Sequence, residues 1–288
     1  MTERVEVRKT CKLFVGGAFP RSESGRTYEV MAADGSFLAN AAKGSRKDAR
    51  DAVLAARKGF NTWSAATAYN RGQVLYRVAE VMEGRSAQFA ADIVAAEGGD
   101  AATAARQVEA AIDRWVWYAG WTDKLAHVLG SANQVAGPYF NFSVPEPTGV
   151  VAAVAPQDSS LLGLISVIAP AVATGCSVIV IASTDRPLPA ITLTEAIATS
   201  DVPGGTINVL TGDAAEIMPW LASHADVNAV DLTGVVDQTL AVSLEREAAG
   251  TVKRVRGPQP LADWYATPTL SRLRSFVETK TVWHPMGT

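Results

Sequence analysis

Gly149-Val150-Val151-Ala152-Ala153-Val154-Ala155 is a glycine followed by an almost unbroken apolar run. Such a run suits a strand buried on both faces, as in a parallel sheet covered by helices. Downstream, residues 161–174 carry apolar residues at helical spacing, and Gly175 fits the position just past a helix end. Val178-Ile179-Val180-Ile181 is a second buried strand. After Pro187 the pattern predicts a helix over 190–199, then Pro203-Gly204-Gly205 turns into a third strand, Ile207-Asn208-Val209-Leu210. A helix around 215–222 leads to a fourth, Ala229-Val230-Asp231-Leu232. Strand and helix alternate at regular spacing, which predicts an α/β fold with a doubly wound parallel sheet.

Upstream the period is helical. Ser45 is placed as an N-cap, followed by a stripe of Ala49, Val53, Ala56, Phe60 and Trp63. A second helix is expected after Asn70, with Val74, Val78, Val81, Phe89 and Ile93 on one face. A third runs over 101–127, with Val108, Ile112, Trp115 and Ala119. Trp115, Trp117, Tyr118 and Trp121 read as core stripe plus half-exposed neighbours rather than a ligand box. Residues 12–40 read as short strands and turns, with Leu13-Phe14-Val15 meeting Gly16-Gly17 and a turn at Asp34-Gly35. Tyr139-Phe140-Asn141-Phe142-Ser143-Val144 alternates in part, as a strand does, and Pro145 and Pro147 are expected to break it. Residues 256–268 lose all period, and Gly257, Pro258, Pro260 and Pro268 mark a linker. A helix over 269–278 presents Leu270, Leu273 and Phe276 on one side, and Thr281-Val282-Trp283 reads as a strand.

The 288 residues, 48% hydrophobic and 19% charged, suffice for a sizeable core. A net charge of -3 gives no electrostatic reason to expect nucleic acid or an anionic membrane surface. The opening Met1-Thr2-Glu3-Arg4-Val5-Glu6 lacks an apolar signal core, and the apolar stretch 161–173 is shorter than the roughly 20 residues that span a bilayer. A cytoplasmic protein is expected. The two cysteines, Cys11 and Cys176, make no disulfide framework, and His127, His224 and His284 are scattered without metal-binding spacing.

Several ordered pieces resemble the aldehyde dehydrogenase superfamily. Lys12-Leu13-Phe14-Val15-Gly16-Gly17 resembles its opening strand. Phe140-Asn141-Phe142, with Glu146-Pro147-Thr148-Gly149-Val150-Val151, resembles its oligomerisation strand entering the first sheet strand. Pro203-Gly204-Gly205-Thr206-Ile207-Asn208-Val209-Leu210-Thr211-Gly212 is similar to the family's Pro-Gly-Val-Asn-Val-Thr-Gly signature, and Asp231-Leu232-Thr233-Gly234 to its Phe-Thr-Gly-Ser turn. The likeness runs through Lys253-Arg254-Val255, then resumes at Glu278-Thr279-Lys280-Thr281-Val282-Trp283. It implies a Rossmann-like cofactor domain over 1–255 with an oligomerisation strand at about 137–146. Residues 256–268 would be a linker in place of the catalytic domain, and 269–288 a terminal helix and oligomerisation strand.

What the resemblance implies for chemistry is mostly absence. Family chemistry uses a cysteine thiolate, an activating glutamate and an oxyanion-binding asparagine. No Glu-Leu-Gly-Gly-Lys or Gly-Gln-x-Cys element follows Val255. Cys11 lies in the N-terminal arm, and Cys176 reads as a small core residue at the entrance to a buried strand. Asp158 stands at the oxyanion asparagine's position, either as a remnant of it or as an N-cap or first-turn acid of the next helix. The positions of the family's ribose-binding lysine and glutamate hold Ile181 and Thr184. Thr233 and Gly234 remain of the pyrophosphate turn, but Val235 replaces its serine, Thr239 its glycine, and Asp237 adds a negative charge. The expectation is no catalytic residue and no cofactor, with NAD(P) at a residual helix N-terminus as the alternative. Phe140, Phe142, Val282 and Trp283 are expected on an assembly arm, unless they merely finish the chain's own small sheet. The implied partner is a full-length aldehyde dehydrogenase, in a hetero-oligomer where this chain is the pseudoenzyme. The competing reading is an NAD(P)-binding oxidoreductase that shares an active site with a partner chain.

Overall fold

The computed structural model describes residues 9–260 and 262–287. The opening 1–6, expected to lack a signal core, lies outside them. A small sheet of β1 (Thr10–Cys11), β2 (Thr27–Met31) and β3 (Phe37–Ala42) comes first. Helices α1 (Arg46–Ala65), α2 (Ala68–Glu83), α3 (Ser86–Glu97), α4 (Ala101–Ala119) and α5 (Leu125–Leu129) follow, then β4 (Ser131–Asn133) and β5 (Tyr139–Pro147). The alternating region runs β6 (Val150–Val154), α6 (Leu162–Ala173), β7 (Ser177–Ile181), α7 (Leu188–Ile197), β8 (Ile207–Leu210), α8 (Ala214–Ser223), β9 (Ala229–Asp231), α9 (Gln238–Ala249) and β10 (Arg254–Arg256). The last described elements are α10 (Leu270–Arg274) and β11 (Val277–Pro285).

The central sheet is parallel throughout, in the order β10-β9-β6-β7-β8. Its apolar runs bury both faces because successive side chains point to opposite sides. Val151, Ala153, Val178 and Val180 join one core with α2, α4 and α6. Val150, Ala152, Val154, Ile179 and Ile181 join the other with α1, α8 and α9. Each fully buried Val or Ile contributes about 1.5–3 kcal/mol, so this sheet is a substantial source of stability. The apolar stretch 161–173 is a core helix, since every residue of α6 is buried. Among the described residues no helix is long and apolar enough to cross a membrane.

Ser45 caps α1 through a capping box: its hydroxyl accepts from Asp48 N–H at 3.3 Å, and Asp48 accepts from Ser45 N–H at 2.8 Å. Gly59 of α1 sits against the turn before β8, where a Cβ would lie 2.3 Å from Gly205 C; only glycine permits that approach.

Several expectations need correction. The strand at Leu13-Phe14-Val15 is instead an isolated antiparallel bridge from Phe14 to Val209. The second helix starts at the Thr67 cap and breaks after Glu83, because Gly84 and Arg85 interrupt it before α3. The third stops at Ala119 with Gly120 as its cap, and turns precede α5. A fifth strand, β10, and the helix α9 before it extend the four-strand pattern. The helix expected over 269–278 is limited to α10, and β11 begins earlier than Thr281.

Pro145 and Pro147 do not break β5. This strand pairs with β11 from Pro147↔Val277 to Tyr139↔Pro285. Thr148 N–H donates to Phe276 O at 3.0 Å, so even-numbered positions aim their N–H groups at β11 and the prolines face the other way. On that side β4 pairs only with Asn141–Ser143, so no ladder bond is lost.

The C-terminal piece is locked to the central sheet by an ion pair. Arg272 Nη1 donates to Asp231 Oδ2 at 3.2 Å, with Asp231 fully buried and Arg272 9% exposed. Removing one partner strands the other's charge in the core. Asp231→Leu and Arg272→Met are each expected to lower unfolding free energy by about 3–5 kcal/mol. The double variant should lose much less than the sum, measured by urea unfolding; additive losses would contradict the coupling.

Candidate functional site

Strand order reverses at β6, which lies between β7 and β9. Ligands of open α/β sheets bind in the crevice beyond the strand ends at such a point. Here the crevice is a cavity of about 120 Å³, lined by Pro156, Gln157 and Asp158 after β6, by Thr233, Gly234 and Val236 after β9, and by Gln259 and Pro260.

The loop after β6 is held by Gln157. Its Nε2 donates to Ala155 O at 2.7 Å, and its Oε1 accepts from Thr184 N–H at 3.1 Å. Asp158 is exposed and has no hydrogen bond or ion pair among the described residues. It is not the cap expected for the next helix. Ser159 takes that work, its hydroxyl accepting from Gly163 N–H at 2.9 Å, while Glu97 Oε1 accepts from Ser160 N–H at 2.7 Å.

The loop after β9 is equally committed to structure. Thr233 N–H donates to Asp231 Oδ1 at 2.9 Å, its hydroxyl donates to the same oxygen, and both terminal nitrogens of Arg272 approach that hydroxyl at 3.4 Å. Gly234 N–H donates to Val154 O at 3.1 Å, and a Cβ there would sit 2.0 Å from Ala155 O. Val235 is buried. Asp237 is the N-cap of α9, accepting from Thr239 N–H at 2.8 Å. A carboxylate therefore already occupies the helix end that would otherwise favour an external phosphate.

At the ribose positions, Ile181 is wholly inside the core. Thr184 donates its hydroxyl to Gly212 O at 3.1 Å. Neither offers the charged group that the family uses there. Cys11 is buried in β1, and Cys176 is fully buried beside Thr174, with its thiol donating to Phe276 O at 3.3 Å. Burial pushes both thiols up, which favours the unreactive form. No group of three or more metal-ligating side chains occurs among the described residues.

The arm residues fall on two faces. Val282 pairs with Phe142, and Phe140 lies on the same side, its ring 5.5 Å from that of Phe142. Trp283 is on the opposite face, edge-on to Tyr139 at 5.8 Å. Phe140 is 50% and Trp283 58% exposed, so finishing the chain's own sheet still leaves both at the surface. Sequence reasoning missed Arg272 and Gln259. The available signal was an arginine, Arg272, set beside Leu273 in the Leu270, Leu273 and Phe276 stripe.

Residues 19–256 match the family described as "Aldehyde dehydrogenase family". The chain belongs to that family. It is 30% identical over 262 residues to the DhaS protein of Bacillus subtilis, covering 88% of this chain and 52% of that one. It is 32% identical over 262 residues to human retinal dehydrogenase 2, covering 88% and 49%. The chain thus spans about half the length of the curated relatives it matches. Among solved structures, an NAD+ complex of an aldehyde dehydrogenase from Bacillus cereus superposes with a TM-score of 0.81 at 25% identity, covering 86% of this chain and 50% of the other. The fold is the Rossmann-like NAD-binding domain of aldehyde dehydrogenases. These likenesses give no support to the expectation that the chain takes no cofactor, which rests only on the residues around the crevice.

Buried thiols make a direct prediction. A small disulfide reagent should find almost no fast-reacting thiol in the native chain, and both Cys11 and Cys176 should titrate in denaturant. A thiol that reacts rapidly without denaturant would restore a nucleophile to this chain.

Proposed function

We propose that this chain is a non-catalytic aldehyde-dehydrogenase-like subunit that assembles with a full-length aldehyde dehydrogenase as a structural or regulatory partner. The observation carrying this reading is β11. It pairs with β5 along one edge, and among the described residues no strand covers the other. The base of β11 carries Glu278 and Lys280, tied to Arg254 and Glu146. Its tip, Thr281-Val282-Trp283-His284-Pro285, has no acidic or lysine side chain to block edge-on pairing. Phe140, Phe142, Val282 and Trp283 give that tip an apolar surface on both faces, suited to strand addition by a partner sheet.

Two further observations support the reading. Between β10 and α10 the chain holds only residues 257–269, too few for a domain that could accept a second copy's arm. Both thiols are buried, and burial pushes them up, which disfavours the thiolate that a nucleophile needs. In this reading Asp158, Thr233 and Gly234 have structural or vestigial roles, and the crevice contributes no step of its own.

One observation favours a second reading, an NAD(P)-binding oxidoreductase that shares an active site with its partner: the crevice between Gln157 and Gly234 lies where strand order reverses, the usual ligand position of an open α/β sheet. Calorimetry with millimolar NAD+ separates the two. No heat of binding is expected, and clear saturation would favour the shared site.

Mass measurement of the complex isolated from its native source is the test of assembly. A mixed oligomer containing a longer aldehyde dehydrogenase is expected; recovery of this chain alone and monodisperse would sink the proposal. A Phe140→Asp, Trp283→Asp variant should weaken association at least about tenfold, as loss of interface anchors does, while its melting temperature changes little.

A further inference from the structure

One unexplained feature lies beyond the crevice, where residues 262–269 run beside α4 and α10. It is a cavity of about 310 Å³, whose wall includes Arg114, Tyr118, Arg256, Asp263, Trp264 and Arg272. Three guanidinium groups from three elements converge there. Of the three, only Arg272 has a buried carboxylate partner among the described residues, Asp231. Among the described residues, neither Arg114 nor Arg256 is ion-paired. Arg114 donates instead to Ser166 Oγ at 2.8 Å and to the carbonyls of Trp264 at 2.6 Å and Ala266 at 3.2 Å. Arg256 makes a single long bond, Nη1 to Ser275 Oγ at 3.3 Å.

The wall is short of acceptors as well as negative charge. Arg256 Nε and Trp264 Nε1 are buried without a hydrogen-bond partner. Asp263 is exposed, and its carboxylate accepts from Tyr265 N–H at 3.0 Å. Burial, then the adjacent charge of Arg272, pulls the Arg256 guanidinium down. Burial and the same neighbour act downward on Arg114. Positive charge held in a partly desolvated hollow costs free energy unless an anion answers it.

We infer that this cavity binds a phosphate group, either free or as the phosphate of a small ligand. Guanidinium forks match oxyanions through paired N–H donors, and donors arriving from α4, the end of β10 and α10 suit oxygens set in several directions rather than a planar carboxylate. Every wall residue belongs to this chain, so the inference does not rest on the assembly reading. Residues 262–269 supply Trp264 and the carbonyls that hold Arg114, so the site exists only with that segment in place.

The test uses the full chain and inorganic phosphate at constant ionic strength, with calorimetry and melting curves in parallel. Wild-type protein should give saturable heat and a rising melting midpoint, since a ligand that binds only the folded state stabilises it. Arg256→Gln removes the guanidinium with the fewest structural bonds. It should weaken binding about ten- to a hundredfold, the loss of one charge-assisted hydrogen-bonding group, with a phosphate-free melting midpoint close to wild type. Arg256→Lys keeps the charge without the fork and should fall between. Glucose 6-phosphate, a phosphate monoester, separates the sources: tighter binding than inorganic phosphate assigns a small phosphorylated ligand, and weaker binding assigns the free ion. No saturable response beyond matched chloride, equal binding by Arg256→Gln, or an equal response to acetate would overturn the assignment.

Discussion

Asp231 presents the fold with a constraint that one distant cation, Arg272, resolves together with the local donors of Thr233. It is the last residue of β9, fully buried at the point where the sheet reverses strand order. An unpaired carboxylate there would cost several kcal/mol. Arg272 answers it from 41 positions away in the chain, and in doing so fixes α10 over the end of the sheet. Gln259 adds its side-chain oxygen to Arg272 at 2.7 Å and its N–H to Thr233 O at 3.1 Å. One buried charge thus determines the path of the connecting segment.

That path has consequences at both ends. With α10 fixed, Leu273 and Phe276 enter the main core, and the chain leaves in position to pair β11 with β5. The carbonyl of Phe276 accepts both the Cys176 thiol and Thr148 N–H. The residue that closes the core is therefore also the one that starts the arm. Residues 257–260 meanwhile lie against the crevice after β9, where Gln259 and Pro260 form part of the wall.

The central fold was legible because burial on both faces writes an unbroken apolar run, a signal independent of long-range context. What escaped reading was short or decided at a distance. β10 is only Arg254-Val255-Arg256, and an edge strand with a charge at either end carries no buried-strand pattern. Proline looked like a terminator in β5 because the direction of its missing N–H depends on which neighbour the strand acquires. Cys176 was legible as a core residue because it adjoins an apolar strand. The work of Asp158 was misplaced by one position, since a local pattern of polar residues does not say which hydroxyl reaches the first free N–H. The arginine cluster was invisible for the same reason as the pair: Arg114, Arg256 and Arg272 meet only after folding.

The crevice and the arm also differ in what they demand of side chains. Binding a dinucleotide needs particular groups at a few points, and here those points are occupied by other work: Ile181 packs the core, Thr184 ties its loop to the one after β8, and Asp237 caps α9. Pairing a strand edge needs only main chain in register, which any sequence compatible with extended backbone supplies. Main-chain pairing alone does not account for Tyr139, Phe140 and Trp283, which stand exposed at the tip on both faces. Aromatic area left in water gains nothing for the isolated chain and invites nonspecific association. In the proposed assembly the same rings become anchors. They bury large area at low entropic cost, while the charged base of β11 limits pairing to the tip.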